Sequence, residues 1–212
     1  MQTAFFDFKN GYEKNILNNL GCKLQNGAIG IFPTDTVYGI GCDAFNEEAI
    51  HRLFEYKQRD YSKPINVLIS NFDMLNYFVE DISEKEKILI NKFWPGALTI
   101  IFKKNDNVSN LLTAGLNTIG IRMPNNQIIL DLINYSNIPL ATTSANLSGK
   151  DAGISINDFY DLFNNKVDFI IDNGITSIKK ASTVVQIIND KPHILREGSI
   201  SKEQIEDALN NK

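Results

Sequence analysis

The sequence predicts an α/β (α+β) fold, a single domain over residues 1–212 on a mixed, twisted sheet. Three observations predict it. Apolar runs of strand length alternate with stretches whose apolar residues recur at helical spacing. No linker, repeat or low-complexity tract divides them. Late in the chain, Ser182–Ile188 and His193–Arg196 read as strands around Asn189-Asp190-Lys191, a hairpin signal that adds antiparallel pairing.

The elements follow in order. Residues 12–25 place Ile16, Leu17, Leu20 and Leu24 on one helical face. Ala28–Phe32 is a continuous apolar run between Gly and Pro and reads as a buried strand. Pro33 ends it, Thr34-Asp35-Thr36 leaves small polar groups at its exit, and Gly39-Ile40-Gly41 permits a tight turn. Asn46 can cap a helix with Ala49, Ile50, Leu53 and Phe54 as its apolar positions. Ile65–Ser70 reads as a strand and Phe72–Val79 as a short helix. Ser83 with Glu86 forms a capping box for a helix that ends near Trp94, before Pro95-Gly96. Ala97–Lys103, Thr118–Met123, Pro139–Thr143 and Val167–Ile171 are further strands, and Ile128–Ile133 and Ser155–Phe163 helices. Ser201 with Gln204 forms a second capping box before a C-terminal helix.

Composition narrows the function. At 43% hydrophobic and 22% charged residues the chain has the balance of a soluble globular protein. A net charge of -4 argues against a general polyanion binder but leaves room for a local positive cavity. No apolar run approaches the ~18 residues of a membrane span, so no membrane partner is expected. The N-terminal residues show no basic region followed by an apolar core, so no signal peptide is expected. Two cysteines, Cys22 and Cys42, in separate elements suit a reducing, cytoplasmic setting. Of 21 basic residues only four are arginine: Arg52, Arg59, Arg122 and Arg196. A chain that prefers lysine this strongly can reserve arginine for places where a planar fork must grip a carboxylate or phosphate. Codon bias explains Arg52 equally well.

Several patterns suggest chemistry. Lys57, Arg59 and Lys63 put three cations within seven residues. Cations in a helix's last turn favour its dipole, but Lys63 lies beyond the helix, and such a cluster repels itself unless an anion sits within it. Thr142–Gly149 (TTSANLSG) gathers hydroxyls and amides where a strand ends. That is where open α/β sheets place ligands, or else it is a turn that caps its own backbone. Gly39–Ala44 matches the outline of a dinucleotide-binding turn. The acidic partner expected about 20 residues on falls at Asp60, in a loop, which speaks against that reading. His51 and His193 are isolated from each other and from both cysteines, so neither a protein-held metal site nor a covalent nucleophile is expected.

PTDTVYGIG, KQR followed by KP, FWPGALT, TIGIRMP, TTSANLSG, ASTVV and LREG occur in that order from roughly Gly27 to Gly198. This set resembles the YrdC-like family, whose best-understood members are threonylcarbamoyl-AMP synthases. The resemblance implies an open twisted sheet around a deep, positively charged cavity. It implies synthesis of L-threonylcarbamoyl-AMP from L-threonine, bicarbonate and ATP, with Mg²⁺ accompanying ATP and pyrophosphate released. The product would pass to a tRNA threonylcarbamoyl transferase for modification of the adenosine beside the anticodon. The family's KxR and SxN pairs bind the nucleotide at the reaction centre, which gives that role to Lys57, Arg59, Ser144 and Asn146. Lys63, Thr118 and Arg196 take positions that also face ATP. Thr36, Arg122, Thr142 and Ser182 fall where the family holds threonine, and Thr34 and Tyr38 belong to the same motif. Asp60 stands where many members have Pro, and Ala97 replaces another Pro. The resemblance is to the short form without an extra C-terminal domain, and the SxN motif separates the chain from a paralogous branch that lacks it. Two alternatives stay open: an RNA-binding module and a paralogue that adenylates another carbamate; whether the enzyme makes a weak RNA contact stays open as well.

Overall fold

The computed structural model describes residues 2–210. Its longer helices form where the sequence supplies an apolar stripe, in most cases together with a side-chain cap. Leu17, Leu20 and Leu24 make the buried face of α1 (Lys14–Gln25). The Asn46 side chain accepts the Ala49 N–H at the start of α2 (Glu47–Lys57), and the capping box of Ser83 and Glu86 opens α3 (Glu84–Phe93). A four-residue turn, α4 (Asn110–Thr113), precedes α5 (Gln127–Ser136), which packs its apolar face on α1. The chain continues through α6 (Tyr160–Phe163) to α7 (Lys202–Asn210), which the Ser201 and Gln204 box opens and which lies against α3.

The strands are β1 (Ala4–Asp7), β2 (Gly30–Phe32), β3 (Gly39–Asp43), β4 (Asn66–Leu68), β5 (Leu98–Lys103), β6 (Thr118–Arg122), β7 (Leu140–Ser144), β8 (Phe169–Asp172), β9 (Thr183–Ile188) and β10 (Lys191–Arg196). They form one mixed sheet in the order β1-β8-β2-β3-β7-β4-β6-β5-β9-β10. The β9–β10 hairpin turns through Asn189 and Asp190, both at positive φ, which these short polar residues tolerate better than others.

The structure corrects two expectations. Gly39-Ile40-Gly41 is not a turn but the start of β3, paired with β2 and β7. Its glycines serve close packing: a methyl on Gly41 would overlap the Ala141 carbonyl and Thr142 Oγ1. Gly41→Ala is therefore expected to destabilise the protein by about 1–3 kcal/mol, the usual range for overpacking, read as a lower thermal midpoint. The short helix expected over Phe72–Val79 is present as a 3-10 helix over Phe72–Tyr77. The helix expected over Ser155–Phe163 is broken at Phe159 (φ -142°, ψ -7°), whose ring is fully buried and packs at 5.1 Å from that of Tyr38. β1 and α4 were not foreseen from sequence.

Register decides which side chains share a face. Gly41 and Asn66 both lie opposite Thr142, and Leu68 lies opposite Arg122. With a side-chain period of two, Gly39, Gly41, Thr142, Asn66, Leu68, Gly120 and Arg122 share one face of the sheet's centre. That face is low in side-chain bulk and holds the cavity described next.

Candidate active site

A cavity of about 310 Å³ opens over this face. Among the described residues four cationic side chains line it, Arg59, Arg122, Lys150 and Arg196, and no carboxylate does. On a chain of net charge -4 this is a concentrated positive site.

The loop after β2 forms one wall. Thr34 Oγ1 accepts the N–H groups of Thr36 and Val37 at 3.1 and 3.3 Å and lies 3.0 Å from Thr36 Oγ1. Asp35 lies behind the wall. Its backbone oxygen accepts from Ile178 N–H at 2.9 Å and Ser177 Oγ at 3.1 Å, which ties the loop to the segment after β8. The Tyr38 hydroxyl donates to the Gly174 carbonyl at 2.8 Å and accepts Asn173 N–H at 2.9 Å; burial pushes this phenol well above its ordinary range.

Arg122, at the end of β6, is buried. Its Nε donates to the Gly96 carbonyl and its Nη1 to Thr36 Oγ1, both at 2.8 Å, and its Nη2 pairs with Asp35 Oδ1. Burial lowers its pKa, Asp35 opposes the shift, and the charge of Arg196 adds to it. Three of its five N–H groups are thus fixed by protein, and two remain for a ligand. Arg196 follows a register shift in β10 that re-aims it. It donates from Nε and Nη2 to the Ser182 carbonyl at 3.1 and 2.9 Å and from Nη2 to Ser182 Oγ at 3.0 Å. Ser182 Oγ in turn lies 2.9 Å from Thr99 Oγ1.

Gln58, in the left-handed region (φ 48°), ends α2 and turns the chain into Arg59. Arg59 is half-buried and donates to the carbonyls of Pro64 at 2.7 Å and Lys63 at 3.3 Å. Across from it, Ser144 Oγ bonds Asn146 Oδ1, while Asn146 Nδ2 donates to the carbonyls of Leu147 at 3.0 Å and Lys150 at 2.6 Å. Lys57 lies beneath this loop and outside the cavity wall, 1% exposed. Its Nζ donates to the Ser144 carbonyl, to Asn146 Oδ1 at 3.1 Å and to Thr143 Oγ1 at 3.4 Å, and its carbonyl accepts Ser148 N–H at 3.2 Å.

Burial, helped by the charge of Arg59, brings the Lys57 ammonium down to about 7. The unfolded chain, with a lysine of ordinary pKa, therefore binds more protons than the native one from about pH 7 to 10.5. Stability then rises with pH across that window. Lys57→Met lacks this dependence, so wild type is expected to gain stability relative to the variant from pH 7 to 10, as read by parallel thermal unfolding.

Of the residues singled out from sequence, the cavity brings together Thr34, Thr36, Tyr38, Arg59, Arg122, Thr142, Ser144, Asn146, Ser182 and Arg196. It does not include Lys63, which is exposed beyond Arg59. Nor does it include Thr118, which pairs with Lys103 at the far end of β6, about 13 Å from Arg122 along the strand. Asp60 is exposed, accepts Ser62 N–H at 2.8 Å and stays outside the cavity lining. Asn66, Leu68, Thr99 and Lys150 line the cavity and had not been assigned from sequence. Among the described residues no three His, Cys, Asp or Glu side chains gather as a metal site.

A cation-lined hollow on a mixed α/β sheet, edged with hydroxyl and amide groups, has the chemistry to receive polar, anionic small molecules. The comparisons narrow this further. A family model described as telomere recombination (Sua5_yciO_yrdC) matches residues 22–198. The chain is 38% identical over 186 residues to the threonylcarbamoyl-AMP synthase of Pyrococcus abyssi, covering 88% of this chain and 55% of that protein. It is 37% identical over 189 residues to a putative threonylcarbamoyl-AMP synthase of Methanocaldococcus jannaschii, covering 88% of this chain and 87% of that one. A crystal structure of P. abyssi Sua5 complexed with L-threonine superimposes with a TM-score of 0.94 at 35% identity, over 97% of this chain and 61% of that one. The chain belongs to the Sua5/YciO/YrdC family. It spans about half the length of the P. abyssi relative.

Proposed function

We propose that this chain synthesises L-threonylcarbamoyl-AMP from L-threonine, bicarbonate and ATP, releasing pyrophosphate. The supporting observation is the meeting of Arg59, Arg122 and Arg196, from three distant segments, with the Ser144–Asn146 loop around one carboxylate-free cavity. Relatives named for this activity, and a similar Sua5 structure complexed with L-threonine, add to that support.

In this reading the threonine carboxylate takes the two free N–H groups of Arg122, with the hydroxyls of Thr36, Thr142 and Ser182 about it. Arg59, Arg196, Ser144 and Asn146 face the nucleotide. Lys57 acts as a positioning residue that holds the Ser144–Asn146 loop from below, while Lys63 and Thr118 lie outside the cavity lining. The threonine amine and bicarbonate give the carbamate and water. A carbamate oxygen then attacks the α-phosphorus and pyrophosphate leaves. No side-chain nucleophile is required; the protein aligns the reactants and offsets their charge. Two like charges 4 Å apart repel by about 4 kcal/mol at an effective dielectric of 20, so the four cations matter.

Among the described residues the lining has no carboxylate to hold Mg²⁺. We assign that ion to the triphosphate, as part of the substrate. The product would pass to a tRNA threonylcarbamoyl transferase in the cytoplasm; no helix among the described residues is long and apolar enough to cross a membrane. The test is pyrophosphate release that requires both L-threonine and bicarbonate. Release with another amino acid in preference to threonine would point to a paralogue, and no release at all would end the reading.

A further inference from the structure

Asn66 opens β4 on the cavity floor, half-buried. Among the described residues its side-chain amide makes no hydrogen bond, although the neighbouring polar groups Thr36, Arg122, Ser144 and Asn146 are all engaged. Its position is intermediate between the two halves of the site. Two residues further along β4, Leu68 lies opposite Arg122. Two residues before it, the Pro64 carbonyl receives Arg59 Nη2 at 2.7 Å. Each step is about 6.6 Å along an extended chain. The adjacent strand leaves room for the side chain, because a methyl on Gly120 would overlap Asn66 Oδ1.

We propose that Asn66 holds the carbamate group of the bound intermediate. This rests on the function proposed above. With the amino-acid carboxylate on Arg122, the carbamate carbon lies only Cα and one nitrogen further on, toward Arg59 and the phosphates. A carboxamide offers two donors and one acceptor, and a carbamate, –NH–COO⁻, offers the complement. Asn66 Nδ2 donates to a carbamate oxygen while Oδ1 accepts the carbamate N–H. The group gains orientation toward the α-phosphorus from a neutral side chain, without a further charge in the cavity.

Asn66→Leu keeps the volume and removes both hydrogen-bonding functions; Gly120→Ala keeps the amide and displaces it. Pyrophosphate release is measured against bicarbonate at saturating threonine and ATP, and threonine and ATP binding by calorimetry. Both variants are expected to lose about 10²-fold in kcat/KM for bicarbonate, the usual loss for one well-placed donor, with both dissociation constants unchanged within about twofold. Normal bicarbonate kinetics in Asn66→Leu overturns the proposal. So does a loss of threonine or ATP affinity in step with the rate. If wild type itself shows no threonine- and bicarbonate-dependent release, it is the function reading that has failed.

Discussion

Arg59→Ala is expected to lower the rate of pyrophosphate release by about 10²–10³-fold, comparable to removing one preorganised donor from a developing charge, while the protein stays folded. Among the described residues the Arg59 side chain is anchored only through the Lys63 and Pro64 carbonyls, which water can satisfy when the guanidinium is gone. Half-exposed residues of this kind change stability by about 0.5 kcal/mol when truncated, or about 2 °C in thermal midpoint for a chain of this size. Turnover and thermal unfolding should therefore separate. Turnover near that of wild type would remove Arg59 from the site. Lys57, two residues earlier, cannot give so clean a result. It is buried under the Ser144–Asn146 loop, so its loss disturbs that loop together with any effect on catalysis.

The contrast between these two neighbours shows what sequence can and cannot convey. Local rules were legible: Asn46 and Ser83 marked helix starts, Leu17, Leu20 and Leu24 marked a buried face, and Asn189-Asp190 marked a hairpin. Each signal is complete within a few residues. Gly39 and Gly41 were misread because glycine serves tight turns and close packing alike, and only the opposing Ala141 and Thr142 decide between them. The cation cluster was visible, but not which members face the ligand. Gln58 in the left-handed region ends α2, and Lys57 and Arg59 part there, one below the loop and one into the hollow. Asn66 and Thr99 were unreadable for a different reason. They reach the cavity through strand register between β4, β6 and β7 and between β5 and β9, and no local pattern encodes those pairings.

Arg122→Leu should affect both stability and binding, and a second substitution can separate the two. The Arg122–Asp35 pair is buried, with side chains 6% and 4% exposed. Among the described residues Asp35 Oδ2 already has no partner, so removing the arginine leaves an unpaired carboxylate in the interior. Breaking such a pair from one side costs about 3–5 kcal/mol, or roughly 10 °C in thermal midpoint at this chain length. Asp35→Asn on top of Arg122→Leu removes the stranded charge, so the double variant should recover part of that stability; residues in direct contact are not additive. Threonine binding should not recover, because the two N–H groups that would face the substrate carboxylate are missing from both proteins. Calorimetry with L-threonine at a temperature where all three proteins are folded tests this directly. A double variant that regains stability but not binding ties Arg122 to the amino acid. One that regains both would mean that the carboxylate is held elsewhere, and Arg122 would then serve only to keep the Thr34–Thr36 loop in place.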